Sequence, residues 1–285
     1  MDVESLWQEL ENVLLPTLRG FRSRLGSLRV EEKADKTLLS EADVAVQDQL
    51  IRCVRAVDPD GLILAEESAH LFGSLPDAEG RVWIIDPIDG TSQFVAPDGR
   101  EFCSVVCLIR DRKPVAAFVL APEIGPDRSP VSVRVTGPGE PIEINGKRAP
   151  DLSASERPRR VSVTRSSGTQ PRDYEKILLS QGYQLKTRTT SQTLDMVRTC
   201  VDLAPFTDPA LDSFGLFYRE QQKVWDGVAG ICLANASGGL FVGDGTGRER
   251  TTVDIALNVT EPQFDSTLIA SDPDATRIIA NRPAD

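Results

Sequence analysis

Four short stretches of this chain hold the residue types from which an oxygen-ligand metal centre can be assembled. "LILAEES" runs an apolar segment into Glu66 and Glu67, and "WIIDPIDGTSQF" ends another in Asp86 and Asp89, three apart around Pro87. "WDG" places Asp226 just ahead of a small-residue segment, and Asp43 follows Ser40 in "LLSEAD". Each has a plain structural reading. Asp226 alone is an N-cap or first-turn aspartate, Asp86 or Asp89 a turn residue beside a proline. Glu66 and Glu67 are a solvated strand end, and Asp43 a stabiliser of a helix start. Taken together they suit a hard divalent cation, which needs several oxygen ligands and in the case of Mg²⁺ prefers carboxylates and water. Two such ions about 3.5–4 Å apart activate a water and steady the leaving oxygen of a phosphoryl transfer. On this reading Asp86 bridges the ions and Ile88 lends its backbone carbonyl. Glu66 closes the first ion, while Asp89 and Asp226 close the second. Gly90 and Thr91 would open a short helix whose backbone N–H groups receive a phosphate, and the Thr91 hydroxyl would orient a water.

The rest of the composition narrows the chemistry. With 32 Lys and Arg against 43 Asp and Glu, the formal charge of −11 disfavours nucleic-acid polymers and anionic membranes as partners but leaves room for a small phosphorylated metabolite. A single histidine, His70, leaves no basis for a two-histidine zinc site or a Ser-His-Asp triad. Five cysteines without a C-x-x-C read as reduced thiols of a cytoplasmic protein, with Cys103 and Cys107 on one face of a strand. No apolar run reaches the ~20 residues of a membrane-spanning helix, and "MDVESLWQEL" lacks a signal-peptide pattern.

Hydrophobic periodicity supplies the elements that must hold these residues. Leu6, Leu10, Leu14 and Leu18 predict an N-terminal helix that Pro16 should kink or break. After a polar connector, "EEKADKT", a second helix starts at Ser40 with a capping-box-like Asp43. "LILAE", "RVWII", "EFCSVVCLIR", "KPVAAFVLA" and "VSVRV" predict strands, and Asn145-Gly146 a hairpin turn. The polar segment 150–160 is the expected hinge between an N-terminal α+β half, residues 1–150, and a C-terminal α/β half, residues 151–285. In the second half, "RVSVT", "QLKTR", "FGLFYR" and "LFV" read as extended. "RDYEKILLSQG", "SQTLDMVRTCVDL" and "WDGVAGICLANASGG" read as helices. The glycine-rich "GDGTG" is a turn and not a nucleotide cradle, because no helix follows it.

These motifs, in this order, resemble those of the inositol monophosphatase superfamily of Mg²⁺-dependent, lithium-sensitive phosphatases. "AEES" is similar to the family's G-E-E, with Ala65 for glycine, and "WIIDPIDGTSQF" to its W-I-x-D-P-I/L-D-G-T-x-x-F. "WDGVAG" is similar to W-D-x-A-A/G, and "KADKTLLSEAD" to the family's lysine-led K-x-D motif, with Ser40 for threonine. The resemblance implies a sugar-phosphatase-like αβαβα layered sandwich, commonly a homodimer, with two or three Mg²⁺ ions per site. It carries the metal-ligand roles to Glu66, Asp86, the Ile88 carbonyl, Asp89 and Asp226. The roles of orienting and activating water fall to Asp43 and Thr91 together with Glu66. The phosphate seat falls to Gly90 and Thr91, with Ser92 beside them.

Substrate choice divides the resemblance. The segment after D-G-T is similar to that of bisphosphate nucleotidases, which hydrolyse 3′-phosphoadenosine 5′-phosphate, although those carry Lys-Glu where this chain has Ser92-Gln93. Inositol monophosphatases place a hydroxyl-binding glutamate seven residues before the W-D aspartate. Here that count gives Arg219, which could clamp a second phosphate or a carboxylate. The plain alternative is a solvated strand-end arginine, and Glu220, one residue on, would restore a glutamate with a one-residue gap. A glycine-plus-small-residue turn that contacts substrate in the family is replaced by "RTTSQTLDM", which puts Thr190 and Ser191 there. A bisphosphate nucleotide is the favoured substrate, inositol-1-phosphate or another sugar or nucleoside phosphate the alternative. A non-catalytic metal-dependent binding protein on the same scaffold is the rival from another class.

Overall fold

A computed structural model describes residues 2–33, 38–68, 71–72, 80–150, 152, 158–163, 171–186, 188–253 and 262–281. The described helices are α1 (Val3–Arg22), α2 (Glu41–Val57), α3 (Thr91–Val95), α4 (Asp173–Ser180), α5 (Gln192–Cys200), α6 (Val224–Ser237) and α7 (Pro273–Ala280). An eight-stranded sheet runs from edge to edge as Lys147–Arg148, Glu143–Ile144, Val131–Val135, Lys113–Ala121, Cys103–Arg110, Arg81–Asp89, Leu62–Ala65 and Leu71–Phe72. Only the Leu62–Ala65 and Arg81–Asp89 pair is parallel. A five-stranded mixed sheet follows the order Gln184–Leu185, Arg160–Val163, Leu216–Lys223, Gln263–Ala270 and Phe241–Gly243.

Amphipathic stripes dictate how these layers stack. Leu6, Leu10, Leu14 and Leu18 recur every four residues and are buried with Val46, Leu50 and Val54 of α2 against one face of the large sheet. Trp7 stacks on Phe118 at 5.5 Å between ring centroids and meets Trp83 edge-on at 6.2 Å. The opposite face of that sheet packs on α5 and α6, which also touch the small sheet, and α4 and α7 cover its far side. The order is therefore αβαβα, as expected. α6 is apolar nearly all round because both of its sides are buried: Val228, Ala229, Ile231 and Leu233 are each at most 1% exposed.

Several local expectations are revised. α1 runs unbroken through Pro16, held by its buried leucine stripe. The polar connector includes a short antiparallel ribbon, Val30–Glu32 with Leu38–Ser40. A strand, Gln263–Ala270, and helix α7 complete the second half where no element was expected. The expected hinge over 150–160 and His70 lie largely or wholly outside the described residues. Asn145 (φ 50°) and Gly146 (φ 72°) form the expected hairpin turn. Cys103 and Cys107 share one buried face, and none of the five cysteines is bridged.

Candidate metal centre

The two aspartates of "DPID" sit on a strand and not, as the sequence suggested, in a turn. Residues an odd number apart on a regular strand face opposite sides. Here Asp86 pairs with Val105 and Asp89 with Cys103, so three steps on one strand oppose two on its neighbour. This β-bulge, centred on Pro87 and Ile88, turns both carboxylates to the same side. Proline suits the position because it has no N–H to lose from the ladder. The Pro87 carbonyl instead accepts the Ser104 hydroxyl at 2.6 Å.

Asp226 arrives from the first turn of α6, and one oxygen each from Asp86, Asp89 and Asp226 lie within 4.8 Å of one another. Glu66, at the end of the Leu62–Ala65 strand, adjoins Asp86. The four carboxylates that the sequence nominated thus converge from chain positions 160 residues apart.

Their environments differ. Asp89 accepts three hydrogen bonds at the start of α5: from the Ser191 hydroxyl at 2.7 Å, the Thr193 amide at 2.6 Å and the Gln192 amide at 3.2 Å. Burial pushes its carboxyl up, and these donors oppose the shift. Asp86 is 1% exposed, and neither of its oxygens accepts a hydrogen bond from the chain. Burial, then the charges of Glu66, Asp89 and Asp226, raise its carboxyl well above the usual range. Asp226 is raised by burial and then by Asp89 and Glu66. A buried carboxylate without a donor, ringed by other carboxylates, is stable as an anion only beside a cation. The all-oxygen donor set fits Mg²⁺.

Thr91 and Asp43 form a second unit beside it. Asp43 Oδ2 accepts from the Ser40 amide at 2.7 Å and the Ser40 hydroxyl at 2.5 Å, which closes the start of α2. Its other oxygen accepts the Thr91 hydroxyl at 3.2 Å, and that hydroxyl also lies 3.1 Å from the Ile88 carbonyl. One carboxylate thus caps a helix with one oxygen and aims a threonine with the other. Gly90 has φ +92°, and a Cβ there would come within 3.1 Å of the Glu101 carbonyl and the Ser191 nitrogen, so only glycine fits the turn. Ser92 is exposed on α3.

The strand Leu216–Lys223 runs directly into α6, which carries Asp226. Side chains alternate along Leu216–Lys223: Phe217 belongs to the core between the sheets, Tyr218 to the outer core under α4 and α7. Arg219 shares the inner side, where it donates to Ser162 Oγ at 2.8 Å and to Asp195 Oδ2 at 3.3 Å. Glu220 shares the outer side with Tyr218, bonded to its hydroxyl and to Arg172. Arginine, not the adjacent glutamate, therefore faces the site. Lys186 also reaches Asp195 Oδ2, at 2.5 Å, and the Thr190 hydroxyl. Thr190 is buried, and Ser191 caps α5 by accepting from the Leu194 amide at 2.9 Å.

Three contributors were not assigned from sequence. Lys33 Nζ reaches Glu66 at 2.9 Å and Glu67 at 2.8 Å, although it opens the quoted "KADKT" motif. Burial alone would depress its ammonium, but the two glutamates hold it above its usual value. Burial and then Glu66 push Glu67 up to about 7, against the pull of Lys33. Asp195 and Gln192 lie within a helix that the pattern predicted, yet nothing in the pattern marks which of its polar residues turn inward.

Comparison with known proteins agrees with this geometry. Residues 8–275 match the model of the inositol monophosphatase family. A 3′(2′),5′-bisphosphate nucleotidase CysQ of Aggregatibacter actinomycetemcomitans is 37% identical over 108 residues, 38% of this chain and 39% of that protein, so the chain matches about two fifths of that relative's length. The Nus factor SuhB of Pseudomonas aeruginosa is 28% identical over 247 residues, 84% of this chain and 87% of that one. The solved extragenic suppressor protein suhB of Bartonella henselae superposes with a TM-score of 0.73 over 98% of both chains, at 17% identity. With the family model spanning nearly the whole chain and three of its acidic side chains meeting in one cluster, the protein belongs to the inositol monophosphatase family, whose members are Mg²⁺-dependent phosphatases.

Proposed function

We propose that this chain is a Mg²⁺-dependent phosphomonoesterase acting on a small phosphorylated metabolite, with no covalent enzyme intermediate. The observation that carries the reading is Asp86, buried, without a hydrogen-bond donor, within reach of Asp89 and Asp226. Glu66, Asp86, the Ile88 carbonyl, Asp89 and Asp226 hold the cations. Bound Mg²⁺ supplies positive charge that acidifies water and neutralises the phosphate and the leaving oxygen. Gly90 and Thr91 receive the phosphate, and Thr91 orients the attacking water. Asp43, its carboxyl raised by burial against the Ser40 and Thr91 bonds, takes up the proton that Thr91 relays.

For substrate we favour a bisphosphate nucleotide. Lys186, Arg198 and Arg219 gather on Asp195 at the inner wall, which places cationic side chains where a second anionic group could bind. The nucleotidase likeness points the same way. Membership of the inositol monophosphatase family over residues 8–275 keeps inositol-1-phosphate as the second reading. The test is a Mg²⁺-supplemented panel of 3′-phosphoadenosine 5′-phosphate, inositol-1-phosphate, fructose-1,6-bisphosphate, histidinol phosphate and nucleoside monophosphates. Turnover of none of them sinks the enzymatic reading and leaves the non-catalytic scaffold. Turnover of the bisphosphate nucleotide should lose about 10–100-fold in kcat/KM in Arg219→Ala, the scale of one charged contact, while a monophosphate should lose little. An equal loss on both removes the second-anion role.

A further inference from the structure

The cluster of carboxylates is anchored on opposite sides by two chemically different devices. Lys33 holds Glu66 with a full positive charge. Asp226 is held by neutral amides. Gln192 Nε2 donates to Asp226 Oδ2 at 2.6 Å, and Gln192 Oε1 in turn accepts from Gln222 Nε2 at 3.2 Å. The direction of this chain is set by its end: a carboxylate only accepts, so Gln192 must present its nitrogen to Asp226 and its oxygen to Gln222.

The backbone is shaped to make the relay. Gln222 would share the outer side with Tyr218 and Glu220 on a regular strand. Gln221 has φ +48°, and beyond this irregularity Gln222 is buried on the inner side, with its Nε2 3.4 Å from the Asp226 carbonyl and 3.6 Å from the Met196 sulfur. The same Asp226 carbonyl accepts the Thr193 hydroxyl at 3.1 Å. Gly227 has no side chain where one would meet Gln222 Oε1 at 2.6 Å. Gln192 is the first residue of α5, so its side chain starts from the turn whose amides already bind Asp89.

We infer that Gln192, seated by Gln222, is a positioning residue for metal binding: it fixes Asp226 in its ligating orientation without neutralising it. An amide donor ties down one carboxylate oxygen and leaves the other, together with the whole negative charge, for a cation. An ammonium in the same place would compete with that cation. Outer partners of this kind commonly contribute 10–100-fold to metal affinity. The inference rests on the Mg²⁺ site proposed above, and the experiment separates the two.

Wild-type protein, Gln192→Met and Gln192→Ala are stripped with EDTA, and Mg²⁺ is titrated calorimetrically with no substrate present. Urea unfolding of the metal-free proteins is followed in parallel. Gln192→Met keeps the volume and loses the hydrogen bonds. Both variants are expected to bind Mg²⁺ at least about 10-fold more weakly, with metal-free unfolding midpoints close to wild type. Wild-type affinity in Gln192→Met overturns the inference and leaves Gln192 a packing residue. A lowered metal-free midpoint that accounts for the whole loss of affinity also overturns it, since the role would then be structural. Absence of Mg²⁺ binding by the wild type removes the metal site itself.

Discussion

Asp86 and Asp89 stand three residues apart on one strand, yet one is surrounded by donors and the other by none. That contrast sets what each substitution should do. Asp86→Asn is expected to lower Mg²⁺-dependent turnover by about 10²–10³-fold or more, the scale of losing a preorganised charge-stabilising group. It should also stabilise the metal-free protein by about 1 kcal/mol, because an amide donates to the neighbouring carboxylates where a carboxylate repels them. Loss of turnover with a lowered metal-free melting temperature would contradict this account. The pH dependence follows from the same crowding. Glu67, Asp86 and Asp226 all carry folded-state values above their ordinary ones. The folded chain therefore binds protons that the unfolded chain releases, and this stabilising contribution is complete below the unfolded value, 4.5 for Glu67, and lost as pH rises through about 7. Metal-free protein should lose stability between pH 4.5 and 7, while Mg²⁺ affinity rises with pH because binding expels those protons. Denaturant titrations at several pH values, with EDTA and with Mg²⁺, check both signs.

Helix starts, more than loops, place the chemistry. α2 carries Asp43 in its first turn, α5 begins over Asp89, and α6 carries Asp226 in its first turn. Ser191→Ala removes both the cap on the Leu194 amide and the bond to Asp89. It should cost about 1–2 kcal/mol of stability, and the Mg²⁺ isotherm should weaken as well, whereas a cap far from the site would leave that isotherm unmoved. The Ser40–Asp43 cap was readable in advance because its signal is local: residue types three apart. The layered fold was likewise readable from apolar periodicity and motif order. The bulge at Pro87–Ile88 was not, since its register depends on the partner strand, Cys103–Arg110. The choice between Arg219 and Glu220 needed strand alternation anchored by Phe217 and Tyr218, which sequence count alone does not supply. The strand Gln263–Ala270 went unread although Asp272 and Pro273 form a strong helix-start signal just after it.

Across the whole molecule, the central one of three buried clusters among the described residues joins the two sheets. Leu62, Val105 and Val119 of the large sheet share a buried cluster with Trp225, Val228 and Ile231 of α6 and with Phe217 and Ile269 of the small sheet. Among the described residues no helix is long and apolar enough to cross a membrane. Since the proposed ligands come from both sheets' surroundings, cation binding should stabilise the fold as a unit. Mg²⁺ at about 100 times its Kd is expected to add about 2.7 kcal/mol to the unfolding free energy, and an unchanged midpoint would mean that the ligands do not bind in concert. The position of α6 also has a consequence for biosynthesis. The strands of the large sheet leave the ribosome first, but the helix that covers their second face ends only at Ser237. Until then the nascent sheet presents a bare apolar surface, and the three aspartates cannot meet before the chain has been translated through Asp226.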